Sequence, residues 1–159
     1  MDYEIPDGSW SWAQVAEDIQ NHRHEQALMI LNTRKDALEL LAALPMNEED
    51  ERLFHLSTLL CGAHRRKVLE AVRSRLKAKL PCWLVSTQVV EAGVDLDFPA
   101  VYRALGPLDR IVQAAGRCNR EGNGETKGRV VVFRPEEGST PPGDYATAVA
   151  ETANLLKQQ

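Results

Sequence analysis

The run STQVVEAGVDLD from Ser86 to Asp97, followed after a short spacer by QAAGRCNREG from Gln113 to Gly122, decides how this chain is read. The first run begins where the apolar segment CWLVST gives out, so it occupies the place where a buried strand ends and the chain turns. In the second run Gln113, Arg117 and Arg120 stand at offsets of four and three, a spacing that puts an amide and two guanidiniums on one face of a predicted helix. A guanidinium stays charged and grips phosphate oxygens through paired N–H donors, so such a face suits a phosphate. The same spacing also describes an ordinary solvated helix face. Gly116 favours the phosphate-facing reading, because glycine inside a helix costs about 1 kcal/mol against alanine and calls for a packing or close-approach reason. Gly122 and Gly124 then end the predicted element.

Outward from these runs, short apolar segments alternate with longer amphipathic ones. The pattern predicts a helix over about Trp12 to Asn21, a strand over Ala27 to Leu31, a helix over Lys35 to Leu44, the strand LFHLS from Leu53, and a long helix from Ala63 to Lys79 closed by Pro81. The strands CWLVST and VYRAL follow, then the helix from Leu108 that carries Gln113 and Arg117, the strand RVVVF from Arg129, and a terminal helix with Asp144 as its N-cap. Strands apolar almost throughout, alternating with helices, imply an α/β fold with a mainly parallel sheet covered on both faces. At 159 residues the chain has the size of one domain with one core, and no repeat, low-complexity segment or second domain is visible, so residues 1–159 are read as a single domain.

No apolar run approaches the roughly 18 to 20 residues that span a bilayer, and the acidic start MDYEIPDG is unlike a secretory leader, so a soluble, cytoplasmic protein with no membrane partner is expected. Cys61, Cys82 and Cys118 are odd in number and far apart, which fits neither a disulfide framework nor a zinc site; they are read as free thiols, and no metal ligands are assigned. The net charge of -4 conceals an asymmetry: residues 1–51 hold twelve acidic and three basic side chains, the rest eleven acidic and sixteen basic. Arg65, Arg66, Lys67, Arg73, Arg75, Lys77 and Lys79 crowd one stretch with Glu70 alone against them, a local basic patch of the kind that binding to phosphate needs. For most of these side chains a solvated helix face is the simpler account. The HRH at His22 to His24 reads as a surface turn, and Trp83, inside an apolar strand, reads as core, whereas Trp10 and Trp12 are available to stack on bases.

Together the two runs resemble motifs V and VI of superfamily 2 helicases, and their wording, EAGVDLDFP and QAAGRCNREG, most resembles the CRISPR-associated helicase-nuclease of type I systems. ALMILNTRKDALELL from Ala27 to Leu41 is similar to the motif IV region of that family. HLSTLLCGAHRRKVLEAVR from His55 to Arg73 resembles the strand, loop and helix that follow it, and VVVFRP and PPGDYATA resemble what comes after motif VI. The resemblance covers the chain from about Trp12 to its end and implies a RecA-like, P-loop NTPase-type three-layer sandwich. It further implies half of an ATP-driven motor that moves on single-stranded DNA, with ATP in a cleft between two RecA-like domains.

By that resemblance Arg117 and Arg120 are arginine fingers, and Gln113 orients the attacking water or touches the terminal phosphate. Thr87 offers its hydroxyl and backbone N–H to a nucleic-acid phosphate. Gly93 lets the backbone approach closely, Asp95 links the nucleotide side of the cleft to the nucleic-acid side, and Glu91 organises an arginine or caps a turn. Asn32, Thr33 and Arg34 touch the backbone of the tracked strand, with Ser57, Thr58 and Arg65 as further candidates. Asp97 is read as structural.

The chain contains no GxxxxGK[ST] phosphate loop, no DExH-like acidic motif for magnesium, and no histidine followed by aspartate. It is therefore expected not to hydrolyse ATP alone. ATP and Mg2+ are expected only in a complete protein, held mainly by a first RecA-like domain. The implied partners are that domain, a nuclease domain, single-stranded DNA and the CRISPR RNA-guided targeting complex. Two other readings stay open: a domain of another superfamily 2 DNA or RNA motor, and a docking module that keeps the RecA-like fold without catalysis.

Overall fold

Strands that are apolar on both faces have to be covered on both faces, and this requirement organises the molecule. A computed structural model describes residues 1–47, 49–57, 60–87, 96–118 and 127–158. Among them β3 (Gln26–Ile30), β4 (Leu53–Leu56), β5 (Cys82–Ser86), β6 (Ala100–Ala104) and β7 (Arg129–Pro135) form the body of a parallel sheet, and the short β1 (Asp2–Glu4) and β2 (Ser9–Trp10) pair in turn along β7. The spatial order is β1-β7-β6-β3-β5-β4. Alternation along β3 sends Ala27, Met29 and Leu31 to one face and Leu28 and Ile30 to the other. The first face is covered by α1 (Trp12–Asn21) and α2 (Arg34–Ala43) through Val15, Ile19, Ala37 and Leu40. The second is covered by α3 (Gly62–Lys77) and α4 (Leu108–Ala115), with the end of α5 (Asp144–Leu156) packed against it. Leu28, Leu40 and Leu84 are fully buried, and each such side chain contributes roughly 1.5–3 kcal/mol.

Local chemistry sets the helix ends. Ser11 and Gln14 form a reciprocal capping box at the start of α1. The Thr33 hydroxyl accepts from Asp36 N at 3.2 Å and so caps α2. Beyond α3, Lys79 takes a left-handed conformation and Pro81 prevents further helix.

The predicted helices and strands are present with shifts of one or two residues, and three differences matter. The helix from Leu108 stops at Ala115, with Gly116 as its C-cap, so Gln113 is helical while Arg117 stands two residues past the end. A Cβ at Gly116 would lie 3.3 Å from the Gln113 carbonyl, so its glycine belongs to the turn leaving α4 rather than to a helical face. The pull that ends the helix is tertiary: Cys118 bridges in parallel to Phe98, and Phe98 N donates to Arg117 O at 2.9 Å. Second, Gly143 with φ 81° is the N-cap of α5 and Asp144 is its first helical residue. Third, β1 and β2 extend the sheet past β7 with residues that carry no strand-like apolar run.

Trp83 is core, its indole N–H donating to His24 O at 3.0 Å. Trp10 and Trp12 pack on Phe133, and the Trp12 indole N–H donates to Glu39 at 2.7 Å, so both are engaged with the protein's own core. His22 and Arg23 occupy an exposed turn, with Arg23 left-handed. Among the described residues no helix is long and apolar enough to cross a membrane. Cys61 is an exposed free thiol; Cys82 and Cys118 are buried, and burial pushes each thiol up to about 11.

Candidate functional site

In an all-parallel sheet the loops leaving the carboxyl ends of the strands collect on one edge, and ligands gather where the strand order reverses. Here the chain runs from β3 out to β4, returns to β5 beside β3, then crosses to β6 on the other side of β3. The crevice therefore lies between the ends of β3 and β6, and Asn32 stands in it.

The Asn32 amide joins three elements. Its Nδ2 donates to Leu105 O at 2.8 Å, and its Oδ1 accepts from Arg103 Nη1 at 2.9 Å and from the Tyr145 hydroxyl at 2.8 Å. Its polar atoms are thus committed within the protein. Thr33 spends its hydroxyl as the cap of α2, leaving Arg34, the exposed first residue of that helix, as the most available group of the three. Asp36, fully buried in the first turn of α2, accepts from Ser139 N at 2.8 and 3.1 Å. Burial raises its carboxyl above the ordinary value against those hydrogen bonds.

The ends of β4 and β5 lie beside this loop. Thr87 N donates to Leu56 O at 3.2 Å, while the Thr87 hydroxyl is buried with no partner among the described residues. Ser57 is buried next to it in the chain after β4. His55 has a buried Nε2 with no partner among the described residues, and burial, followed by the charge of Arg34, holds its imidazole below the ordinary histidine range. Arg65 is half-buried in the first turns of α3, while Arg66, Lys67, Arg73, Lys77 and Lys79 are exposed, so most of the basic stretch is a solvated helix face. Thr58, Glu91, Gly93, Asp95 and Arg120 lie outside the described residues.

Gln113 is exposed on α4. Arg117 is half-buried and fixed by its backbone, its N donating to Ala114 O at 3.0 Å and its O accepting from Phe98 N. Phe98 precedes β6, so Arg117 sits toward the amino end of that strand, whereas Asn32, Thr33, Arg34 and Thr87 cluster at the carboxyl edge. Helix α4 spans the distance between, about 12 Å for eight residues. The candidate nucleic-acid contacts are brought together; the candidate finger Arg117 is held apart from them.

Arg103 and Tyr145 did not announce themselves in the sequence. Arg103 is 2% exposed on β6 and donates to Asn32, to Ala104 O at 2.7 Å and to the Tyr145 hydroxyl at 3.2 Å. A charged residue inside the otherwise apolar strand AVYRA is the signal that marks it. Burial lowers the guanidinium below its ordinary value.

Residues 23–123 match the family of the CRISPR-associated nuclease/helicase Cas3, C-terminal. A CRISPR-associated nuclease/helicase Cas3 of Haloferax volcanii is 46% identical over 84 residues, which are 50% of this chain and 9% of that protein. Among solved structures, T. fusca Cas3 with AMPPNP superimposes with a TM-score of 0.75 at 20% identity, over 99% of this chain and 21% of that one. The C-terminal domain of the DEAD-box protein Dbp5 superimposes with a TM-score of 0.64 at 15% identity, over 99% of this chain and 84% of that domain. This chain thus spans about a tenth of the curated relative and about a fifth of the Cas3 structure, and it has the RecA-like fold seen in both structural neighbours. The match over most of the chain, together with the parallel sheet, places it in the family of C-terminal regions of the CRISPR-associated nuclease/helicase Cas3.

Proposed function

We propose that the chain is the second motor domain of an ATP-dependent single-stranded-DNA helicase or translocase of CRISPR interference, working in the cytoplasm. In this reading ATP is the substrate, bound with Mg2+ chiefly by a first RecA-like domain and completed by Arg117, Arg120 and Gln113 from this one. A guanidinium placed against the transferring phosphoryl group stabilises charge that grows in the transition state, an effect worth on the order of a thousandfold or more. Gly93, Asp95 and Glu91 line the nucleotide side. Arg34, Thr33, Thr87, Arg65 and Asn32 form the nucleic-acid side, where backbone contacts hold a strand without reading its bases. A nuclease domain and the CRISPR RNA-guided targeting complex are the further partners of the assembled protein.

The observation that carries this reading is the division of the candidate residues between the two ends of α4. A motor needs two sites joined by a stiff element. The buried Thr87 hydroxyl, without a partner among the described residues, and exposed Arg34 at the same edge support a polar ligand there.

In the motor assembled with its first domain, Arg117→Ala and Arg120→Ala are each expected to abolish nearly all DNA-stimulated turnover while DNA affinity stays within about threefold, since a finger acts on the transition state. Arg117→Lys is expected to remain well below the parent, because one ammonium does not reproduce the guanidinium fork. Normal turnover in both alanine variants would reassign these arginines to an ordinary surface.

A further inference from the structure

The two ends of α4 have to communicate if nucleic acid is to control hydrolysis, and the structure holds one buried cation at the point where α4 begins. We propose that Arg103 is a positioning residue that couples nucleic acid at the carboxyl edge to Arg117, by locking the turn before α4 onto the segment that follows β3. The proposal rests on the reading of the chain as a second motor domain and names the device that links its two sites.

Arg103 is buried, yet every partner it has is neutral: Asn32 Oδ1 at 2.9 Å, Ala104 O at 2.7 Å and the Tyr145 hydroxyl at 3.2 Å. Among the described residues its Nε has no partner and no carboxylate is bonded to it. Placing a cation there costs desolvation that the through-space pull of Asp109, which forms no hydrogen bond to it, offsets only in part, and an apolar chain of similar length would fill the space without that cost. The hydrogen bonds show what the charge accomplishes. One amide, Asn32, accepts from Arg103 and donates to Leu105 O at 2.8 Å, so the chain just before Thr33 and Arg34 is bonded to the β6–α4 turn in both directions.

The turn is built around the guanidinium. A Cβ at Gly106 would meet Arg103 Nη2 at 2.6 Å and Asn32 Oδ1 at 3.3 Å, so only glycine lets the turn lie flat on it. Pro107 follows at once as the N-cap of α4. Ile111, Ala114 and Ala115 then bury the helix against the sheet, and Arg117 is tied to its far end through Ala114 O. A displacement of residues 32–34 by a bound strand reaches Pro107 through Asn32 and Arg103, and α4 carries it to Arg117. Tyr145 fastens the same cluster to α5, bonding both Asn32 and Arg103 through one hydroxyl.

The test compares ATP turnover with and without saturating single-stranded oligonucleotide, in this chain assembled with its first motor domain, for Arg103→Met, Arg103→Lys, Tyr145→Phe and, as reference, Arg117→Ala. Arg103→Met is expected to lower the DNA stimulation ratio by about tenfold or more, with the DNA-free rate and the KM for ATP within about twofold of the parent. Arg103→Lys is expected to recover only part of the ratio, since an ammonium does not span Asn32 and Ala104 O together. Tyr145→Phe is expected to lower the ratio by about threefold. An unchanged ratio in all three variants overturns the proposal. So does an equal fall in basal and stimulated rates, which is what a merely structural residue would give. Should Arg103→Met fail to fold, an unchanged ratio in Tyr145→Phe overturns it alone. Arg117→Ala separates the two claims: full turnover there removes the finger assignment and this coupling with it, whereas loss there with normal ratios at Arg103 and Tyr145 removes the coupling only.

Discussion

At the amino edge of the sheet Arg129 donates to Asp18 Oδ2 at 2.7 Å, to the Glu4 carboxylate and to the Tyr102 hydroxyl at 2.8 Å, with the Tyr102 ring beneath it at 5.7 Å. At the carboxyl edge Arg103 is more deeply buried and bonds to an amide, a carbonyl and a phenol. One guanidinium is hydrogen-bonded to two carboxylates; the other is bonded to none among the described residues, and Asp109 acts on it only through space. The first arrangement closes the sheet where β1, α1, β6 and β7 meet and has no further task. The second keeps, where parallel sheets receive ligands, a buried cation to which no carboxylate among the described residues is bonded, and physical economy alone would have replaced it with an apolar side chain.

If that contrast is sound, the two arginines respond differently to the same change. Arg129→Met strands Asp18 without its cation and is expected to cost about 3 kcal/mol, a fall of roughly 6–12 °C in thermal midpoint for a chain of this size. Arg103→Met removes a charge that burial disfavours, leaves Asn32 bonded to Tyr145, and is expected to change stability by about 1 kcal/mol or less. Thermal and urea melts of both variants decide the matter. Equal losses would make Arg103 an ordinary structural residue.

A smaller effect sharpens the same contrast through pH. Burial pushes the Asp18 carboxyl up, but the hydrogen bonds of Arg129 and Tyr102 and the charge of Arg129 together outweigh it and hold the group below its ordinary value of 3.8. A depressed folded value means the carboxylate stabilises the fold above the unfolded value, and that contribution is lost as pH falls from about 3.8 through the folded one. Asp18→Asn is therefore expected to be less stable than the parent at neutral pH, with the gap closing below about pH 4. Acid melts from pH 7 to pH 2 check the sign, and a gap that widens toward low pH would contradict it. Asp36 at the carboxyl edge behaves oppositely, its carboxyl raised by burial, so it does not add to the acid loss.

The sheet was legible because β3, β5 and, apart from Arg103, β6 are largely apolar and each gives way to a turn or helix start. The helix after β3 was legible from its apolar spacing, but Thr33, named there only as a nucleic-acid strand contact, proved to be its N-cap. The end of α4 was not legible. The Gln113, Arg117 and Arg120 spacing continues a helical pattern past Ala115, and what stops the helix is the pairing of Cys118 with Phe98, twenty residues earlier in the chain. β1 and β2 were hidden for a related reason, since DYE and SW become strands only because β7 offers them an edge. Asn32 was named as a candidate contact by resemblance, but its commitment to Arg103 and Tyr145 depends on contacts 71 and 113 residues away. Resemblance and local spacing named the candidates; long-range contacts decided which of their atoms are available.

The central claim is that this chain is half of a motor, and complementation measures it most directly. ATP hydrolysis is followed for the chain alone, for a first motor domain of its family alone, and for the two mixed, each with single-stranded DNA. The chain alone is expected to show no turnover, since it lacks a phosphate loop and a magnesium motif. The mixture is expected to hydrolyse ATP in a DNA-dependent way, and Arg117→Ala in this chain is expected to abolish it. Turnover by the chain alone, or a mixture indifferent to Arg117→Ala, would contradict the account.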